Sequence, residues 1–146
     1  MKILVPYDGS PPSARAVEYA LRIATAVGKP AVDMHLLNVQ EADPAVIDYF
    51  RGDAADVAAE LVAARRDAGA KLLQGAARIV EAADVRAERT VLLGDPAEII
   101  GSYADKQHCD MVVMGTRGLG PVGGLLLGSV AMKVIHLVKI PVTLVK

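Results

Sequence analysis

Asp110-Met-Val-Val-Met114-Gly115-Thr-Arg-Gly118-Leu-Gly120-Pro-Val-Gly123-Gly124-Leu-Leu-Leu-Gly128-Ser129 reads as a short strand, a glycine-rich loop and the opening of a helix. The apolar run at its start, with no polar alternation, is what a parallel strand buried on both faces produces. The glycines let a backbone approach phosphate oxygens closely and aim N–H groups at them. A helix N-terminus behind such a loop adds unpaired donors and roughly half a positive charge. Leu127, Val130, Ala131, Val134, Ile135 and Val138, at spacings of three and four, mark that helix. Ser129 can serve as its N-cap or as a ligand group, and Arg117 as a phosphate contact or a solvated charge.

The same alternation extends in both directions. Upstream, Lys2-Ile-Leu-Val-Pro6 is a first strand. Ser10 follows as N-cap with Pro11 at the first helical position, and Ala14, Val17, Leu21 and Ala24 form a stripe that Gly28-Lys-Pro30 stops. Val32 to Val39 is a second strand and residues 40–53 an irregular connection. Ala54 to Ala83 is an alanine-rich helix with Val57, Leu61, Ala68, Leu72, Ala76, Ile79 and Ala83 on one face. Gly69 and Gly75 weaken it by roughly 1 kcal/mol each relative to Ala, enough for a kink. Val85 to Leu93 is a third strand, and Asp95-Pro-Ala-Glu98 starts a helix as a capping box. Downstream, Ile140 to Val145 is a fifth strand. Five strands joined by four helices predict an α/β fold, a Rossmann-like open five-stranded parallel sheet with helices on both faces and right-handed crossovers. No linker divides residues 1–146, so a single domain is expected. In such sheets ligands bind beyond the carboxyl ends of the strands where the strand order reverses.

Composition narrows the chemistry. Sixteen bases against 17 acids give a net charge of −1, which argues against a nucleic-acid binder. An aromatic content of 3% with no Trp leaves no stacking platform. One cysteine excludes an intrachain disulfide and a cysteine-based metal site. His35, His108 and His136 lie scattered, without a spacing that suggests a metal or a triad. No signal-peptide core and no run of the ~20 apolar residues a membrane span needs is present, so a soluble, cytoplasmic protein is expected. The charge is unevenly placed: residues 1–110 carry 12 bases and 17 acids, and the last 36 residues carry four bases and no acid. An acid-free, glycine-rich segment in a neutral chain points to a local anion site.

Two nucleotide fingerprints fail on that segment. Gly118-Leu-Gly120-Pro-Val-Gly123 is literally G-x-G-x-x-G, but it follows the fourth strand and no acid lies beyond it to hold a ribose. Gly123 to Ser129 has the length of a Walker loop, with Ser129 where the lysine is required.

A third pattern holds. Gly115-x-x-Gly118, nine residues, then Gly128-Ser129 resembles the G-2x-G-9x-G-(S/T) nucleotide motif of the universal stress protein family. Ile3-Leu-Val-Pro-Tyr-Asp8-Gly-Ser10, Gly94-Asp-Pro-Ala-Glu98, Asp110 to Gly115, and Gly128-Ser-Val-Ala through Pro141-Val resemble further blocks of that family, in order along the whole chain. The resemblance implies ATP as ligand, with Mg or Mn on its phosphates and no metal ligand from protein side chains. It places Asp8 and its neighbours Pro6 and Tyr7 at ribose and adenine, and Val39 in the adenine pocket. It places Gly115, Thr116, Arg117 and Gly118, with Gly128, Ser129 and Val130, at the phosphates, and counts Met114 among the nucleotide-binding residues. Asn38 stands where many relatives have His, which bears on the adenine pocket; Pro121 and the Gly123-Gly124 pair bear on the loop's shape. The resemblance also implies a homodimer through the edge strand Ile140 to Val145. No residue is positioned by the sequence as a general base, so binding with at most slow hydrolysis is expected. A nucleotide-free interaction module of the same fold and a weak ATPase are the alternatives.

Overall fold

The computed structural model describes residues 1–42, 55–118 and 127–146. Strand β1 (Lys2–Pro6) leads into helix α1 (Pro11–Val27), a 3-10 turn at Lys29–Ala31 and β2 (Asp33–Gln40). Then come α2 (Ala55–Ala82), β3 (Arg86–Leu93), α3 (Pro96–Lys106), β4 (Met111–Gly115), α4 (Ser129–Leu137) and β5 (Val142–Val145). The sheet runs β3-β2-β1-β4-β5, every pair parallel. The chain steps from β1 outward to β2 and β3, then returns to the other side of β1 as β4 and β5. The reversal therefore lies between β1 and β4.

Alternation within the apolar runs explains the two layers. Ile3, Val5, Met34, Leu36 and Val113 bury one sheet face under α1 and α2, with Val17, Leu73 and Val80. Leu4, Leu37 and Val112 bury the other under α3 and α4, with Ile100, Tyr103 and Val134. Consecutive strand residues point to opposite faces, so a strand covered on both sides needs apolar residues at every position.

Several boundaries move for identifiable reasons. The second strand begins at Asp33 because Val32 closes the 3-10 turn, its N–H donating to the Lys29 carbonyl. The third begins at Arg86, after a turn at Asp84 with φ of 58°. The fifth begins at Val142 rather than Ile140, because Pro141 has no N–H for the ladder; its carbonyl accepts from the Val112 N–H at 2.9 Å. Residues 43–54, most of the irregular connection, lie outside the described residues, as do Pro121 and the Gly123-Gly124 pair.

Helix α2 departs most from expectation. It runs from Ala55 to Ala82 without a break, so neither glycine ends or interrupts it. Gly69 is buried where the helix crosses the sheet. A Cβ there would stand 2.5 Å from Asn38 Oδ1 and 2.7 Å from Val91 Cγ1, so the glycine permits close approach. The face that packs is Gly69, Leu73, Ala76, Ala77 and Val80. The apolar face read from the sequence shares only Ala76 with it; Val57 is 55% exposed and Ile79 54%.

Candidate functional site

At the reversal, the chain leaving β1 and the chain leaving β4 meet. Tyr7 is held to β2 twice: its N–H donates to the Leu37 carbonyl at 2.8 Å, and its carbonyl accepts from Asn38 Nδ2 at 2.8 Å. Asp8 then turns the backbone. Its Oδ1 accepts the Ser10 N–H at 2.9 Å, and Gly9 takes φ of +82°, a region that favours glycine. Ser10 caps α1, its hydroxyl accepting from the Ser13 N–H at 3.3 Å.

The β4 side is built from close approaches. A Cβ on Gly115 would lie 2.8 Å from Pro12 Cβ and 2.9 Å from its carbonyl carbon, so only glycine lets β4 end against the start of α1. Thr116 is buried; its N–H donates to the Val145 carbonyl at 2.8 Å and its carbonyl accepts from the Gly128 N–H at 2.7 Å. That second bond closes the loop's two ends. Gly118 passes directly over Asp8: a Cβ at Gly118 would stand 2.5 Å from Asp8 Oδ2.

Helix α4 starts differently from α1. Gly128, with φ of −73° and ψ of 157°, is its N-cap and brings no side chain to the cap. Ser129 is therefore the first helical residue rather than the cap, and it is exposed. A side-chain oxygen does not cover the first-turn N–H groups, so this helix end stays a donor site.

The structure thus brings Pro6, Tyr7, Asp8, Met114, Gly115, Thr116, Arg117, Gly118, Gly128, Ser129 and Val130 to one end of two adjacent strands. Met114 is buried in the α3–α4 layer, whereas Arg117 and Gly118 are exposed. Val39 stands on the neighbouring β2, packed against the α3–α4 layer. Asn38, at 2% exposure, does not present its amide to an open pocket: Oδ1 accepts from Gln40 Nε2 at 2.7 Å while Nδ2 holds Tyr7. It is a tie between strands, a role invisible in a single sequence because its partner is a backbone carbonyl. Pro12 is a second residue the sequence gives no reason to place here. Among the described residues, no three His, Cys, Asp or Glu side chains gather as a metal site, and no helix is long and apolar enough to cross a membrane.

Away from this edge, His35 Nδ1 and Thr90 Oγ1 each hydrogen-bond the Tyr103 hydroxyl at 3.1 Å. Burial raises the Tyr103 phenol above its ordinary range, and it raises the Cys109 thiol likewise. Asp95 caps α3 with bonds from the Ala97 and Glu98 N–H groups, and Lys133 lies 3.4 Å away. The Glu98 N–H bond is the largest influence holding its carboxyl below the usual value.

Known proteins are similar to this chain in sequence and fold. The model of the universal stress protein family matches residues 1–146. A universal stress protein of Thermus aquaticus is 37% identical over 144 residues, covering 99% of this chain and 97% of its own. A universal stress protein solved in complex with cAMP superposes with a TM-score of 0.67 at 25% identity, covering 99% of this chain and 95% of that one. A universal stress family protein of Arabidopsis thaliana, solved with AMP bound, has a TM-score of 0.69 at 22% identity and covers 100% and 90% of the two chains.

Proposed function

From the premise that the chain belongs to the universal stress protein family, we propose that it binds an adenine nucleotide at the reversal of its sheet. The nucleotide is ATP, with Mg or Mn riding on its phosphates, and the protein acts as a stress-response regulator rather than a catalyst. The observation that carries this reading is the approach of Gly118 to Asp8, which joins a glycine cradle and a carboxylate into one site. Neighbouring strands lie ~4.8 Å apart, so the ends of β4, β1 and β2 form a row of roughly 10 Å. Gly115 to Gly118, with the N–H groups of Ser129 and Val130, take the phosphates at one end of the row. Asp8 Oδ2, its other oxygen engaged by Ser10, accepts from a ribose hydroxyl in the middle. Pro6, Tyr7 and Val39 line the base at the far end. Two positions where a Cβ would intrude, Gly115 and Gly118, fit a cradle that a phosphate enters closely. The cAMP and AMP complexes of the related structures support an adenine ligand.

The protein is further proposed as a cytoplasmic homodimer. Strand β5 pairs with β4 on one side and closes the sheet's order on the other, and pairing with a second copy through Ile140 to Val145 covers that edge.

A thermal-shift series with ATP, ADP, AMP, cAMP and NAD, each with and without magnesium, tests the ligand. A nucleotide at 100 times its Kd stabilises by ~2.7 kcal/mol, a readable rise in Tm. No shift with any adenine nucleotide overturns the proposal, and a shift with NAD alone returns the G-x-G-x-x-G reading to first place.

A further inference from the structure

Apart from the buried Ala76 and the contact of Leu72 with the turn at Gly9, the face of α2 that the sequence marks as apolar is not used by the fold. Val57, Leu61, Ala64, Ala68, Leu72, Gly75, Ile79 and Ala82 recur at steps of three and four, and all are exposed. Val57, Leu61, Leu72 and Ile79 are 55%, 43%, 38% and 54% exposed. At 3.6 residues per turn the eight fall within an arc of about 80°, some 120° from the buried face. The stripe runs for about 38 Å and, at roughly 10 Å wide, presents ~400 Å² of apolar surface. A patch of that size ranks with the largest that a typical monomer exposes, and such patches are often functional.

The charges beside the stripe specify what covers it. Glu60, Asp67, Lys71 and Arg78, all exposed, line one flank, acids toward the N-terminus and bases toward the C-terminus. In a two-fold antiparallel pair of helices, residue i lies level with residue c − i of the second copy, and each flank faces its own copy. Glu60 with Arg78 and Asp67 with Lys71 both give c of 138, so one dyad, level with Gly69, satisfies both. The same dyad interdigitates the stripe. Leu61 falls between Gly75 and Ile79 of the second copy, Ala64 between Leu72 and Gly75, and Ala68 beside Ala68 and Leu72. Knobs in one helix thus meet gaps in the other, and small residues at the centre allow close approach.

We propose that α2 is a homotypic docking surface, on which a second copy of this chain lays its own α2 antiparallel about a dyad at Gly69. The proposal does not depend on nucleotide binding, and the surface is separate from β5, so the two contacts together make open or closed higher assemblies. One such helix pair buries less than the ~800 Å² per partner of a standard interface, the size class of transient, reversible contacts.

Sedimentation velocity across a concentration series, with disulfide trapping, tests it. Leu61→Glu and Ile79→Glu, both on exposed positions, are expected to weaken association at least tenfold. Circular dichroism and Tm remain those of the parent. Glu60→Arg weakens it, and adding Arg78→Glu restores it. Under mild oxidation Ala68→Cys forms a covalent dimer, whereas Ala63→Cys, on the exposed side away from the stripe, does not; the buried Cys109 serves as the unreactive reference. Unchanged sedimentation in both Glu variants, or trapping of Ala68→Cys no faster than Ala63→Cys, overturns the proposal. Nucleotide-induced thermal shifts stay intact in every variant, which keeps this result distinct from that of the ligand series.

Discussion

The sharpest consequence of the site geometry concerns a single methyl group. Gly118→Ala places a Cβ 2.5 Å from Asp8 Oδ2 and 3.8 Å from its Cγ. An ordinary carbon–oxygen contact is ~3.3 Å or longer, so the carboxylate must retreat by nearly 1 Å. It cannot retreat freely, because Oδ1 is tied to the Ser10 N–H. The backbone itself tolerates alanine, since the described glycines with positive φ are Gly9, Gly28 and Gly94. Gly118 is exposed and the clash is confined to the end of one side chain, so folding stability should fall by about 1 kcal/mol or less. Binding should change far more. A hydrogen bond to a charged group contributes about 1.5–3 kcal/mol, or roughly 10- to 150-fold in Kd. Titration calorimetry with ATP on Gly118→Ala, Asp8→Ala and the double variant reads the effect. The double variant is expected to bind no more weakly than the worse single one, because both act on one carboxylate. Binding of Gly118→Ala within twofold of the parent, alongside a large loss in Asp8→Ala, would refute the coupling. No loss in Asp8→Ala would remove Asp8 from the ligand altogether.

Other positions separate effects that look alike in the sequence. Gly69→Ala and Gly75→Ala both gain helix propensity of up to ~1 kcal/mol, but only at Gly69 does the new Cβ meet Asn38 and Val91. Urea denaturation should show Gly75→Ala stabilised and Gly69→Ala destabilised by about 1–3 kcal/mol. Asp95→Ala should cost about 1 kcal/mol through the lost α3 cap. Because the folded carboxyl sits below its ordinary value of 3.8, the ionic part of that cap is complete above pH 4 and fades as pH falls through the lowered value. Stability difference between the parent and Asp95→Asn should therefore shrink on acidification, and a difference that grows would contradict the sign. Tyr103→Phe removes the hydroxyl shared by His35 and Thr90 and should cost about 1–3 kcal/mol by the same denaturation assay.

Much of this was legible because burial on two faces leaves no freedom in the strands. Residues Ile3 to Val5 must alternate between two apolar layers, so their pattern admits one reading. The helix starts at Ser10 and Asp95 were equally plain, since a cap is a local event. Helix α2 was not. An alanine-rich helix satisfies its core with small residues, and Ala76, Ala77 and Gly69 look no more buried in sequence than Ala64 or Ala68. The large residues Val57, Leu61 and Ile79 dominate a periodicity count and lead it to the wrong face. At the site, glycine spacing located the loop, but the partners of Asn38 and Gly115 are a carbonyl and a proline on other elements, which no local pattern encodes.

Two helices, α1 and α4, begin at the reversal, and their caps decide between them. Pro11 and Pro12 have no N–H, the Ser13 N–H is taken by Ser10 Oγ, and the Ala14 N–H by the Ser10 carbonyl. The start of α1 therefore offers an anion nothing, although its dipole points the right way. Ser10's own N–H is spent on Asp8, which sets a negative charge beside that helix end. Helix α4 has the opposite design: its cap is a glycine, its first residues carry N–H groups, and Met132 is the first to bond back, to the Gly128 carbonyl. Equal dipoles thus give unequal sites, because donors rather than dipoles hold phosphate oxygens at short range. On the proposed reading, a nucleotide entering here has one favourable direction, phosphates over α4 and sugar toward Asp8. The reverse orientation would set its anionic end against a carboxylate and two prolines.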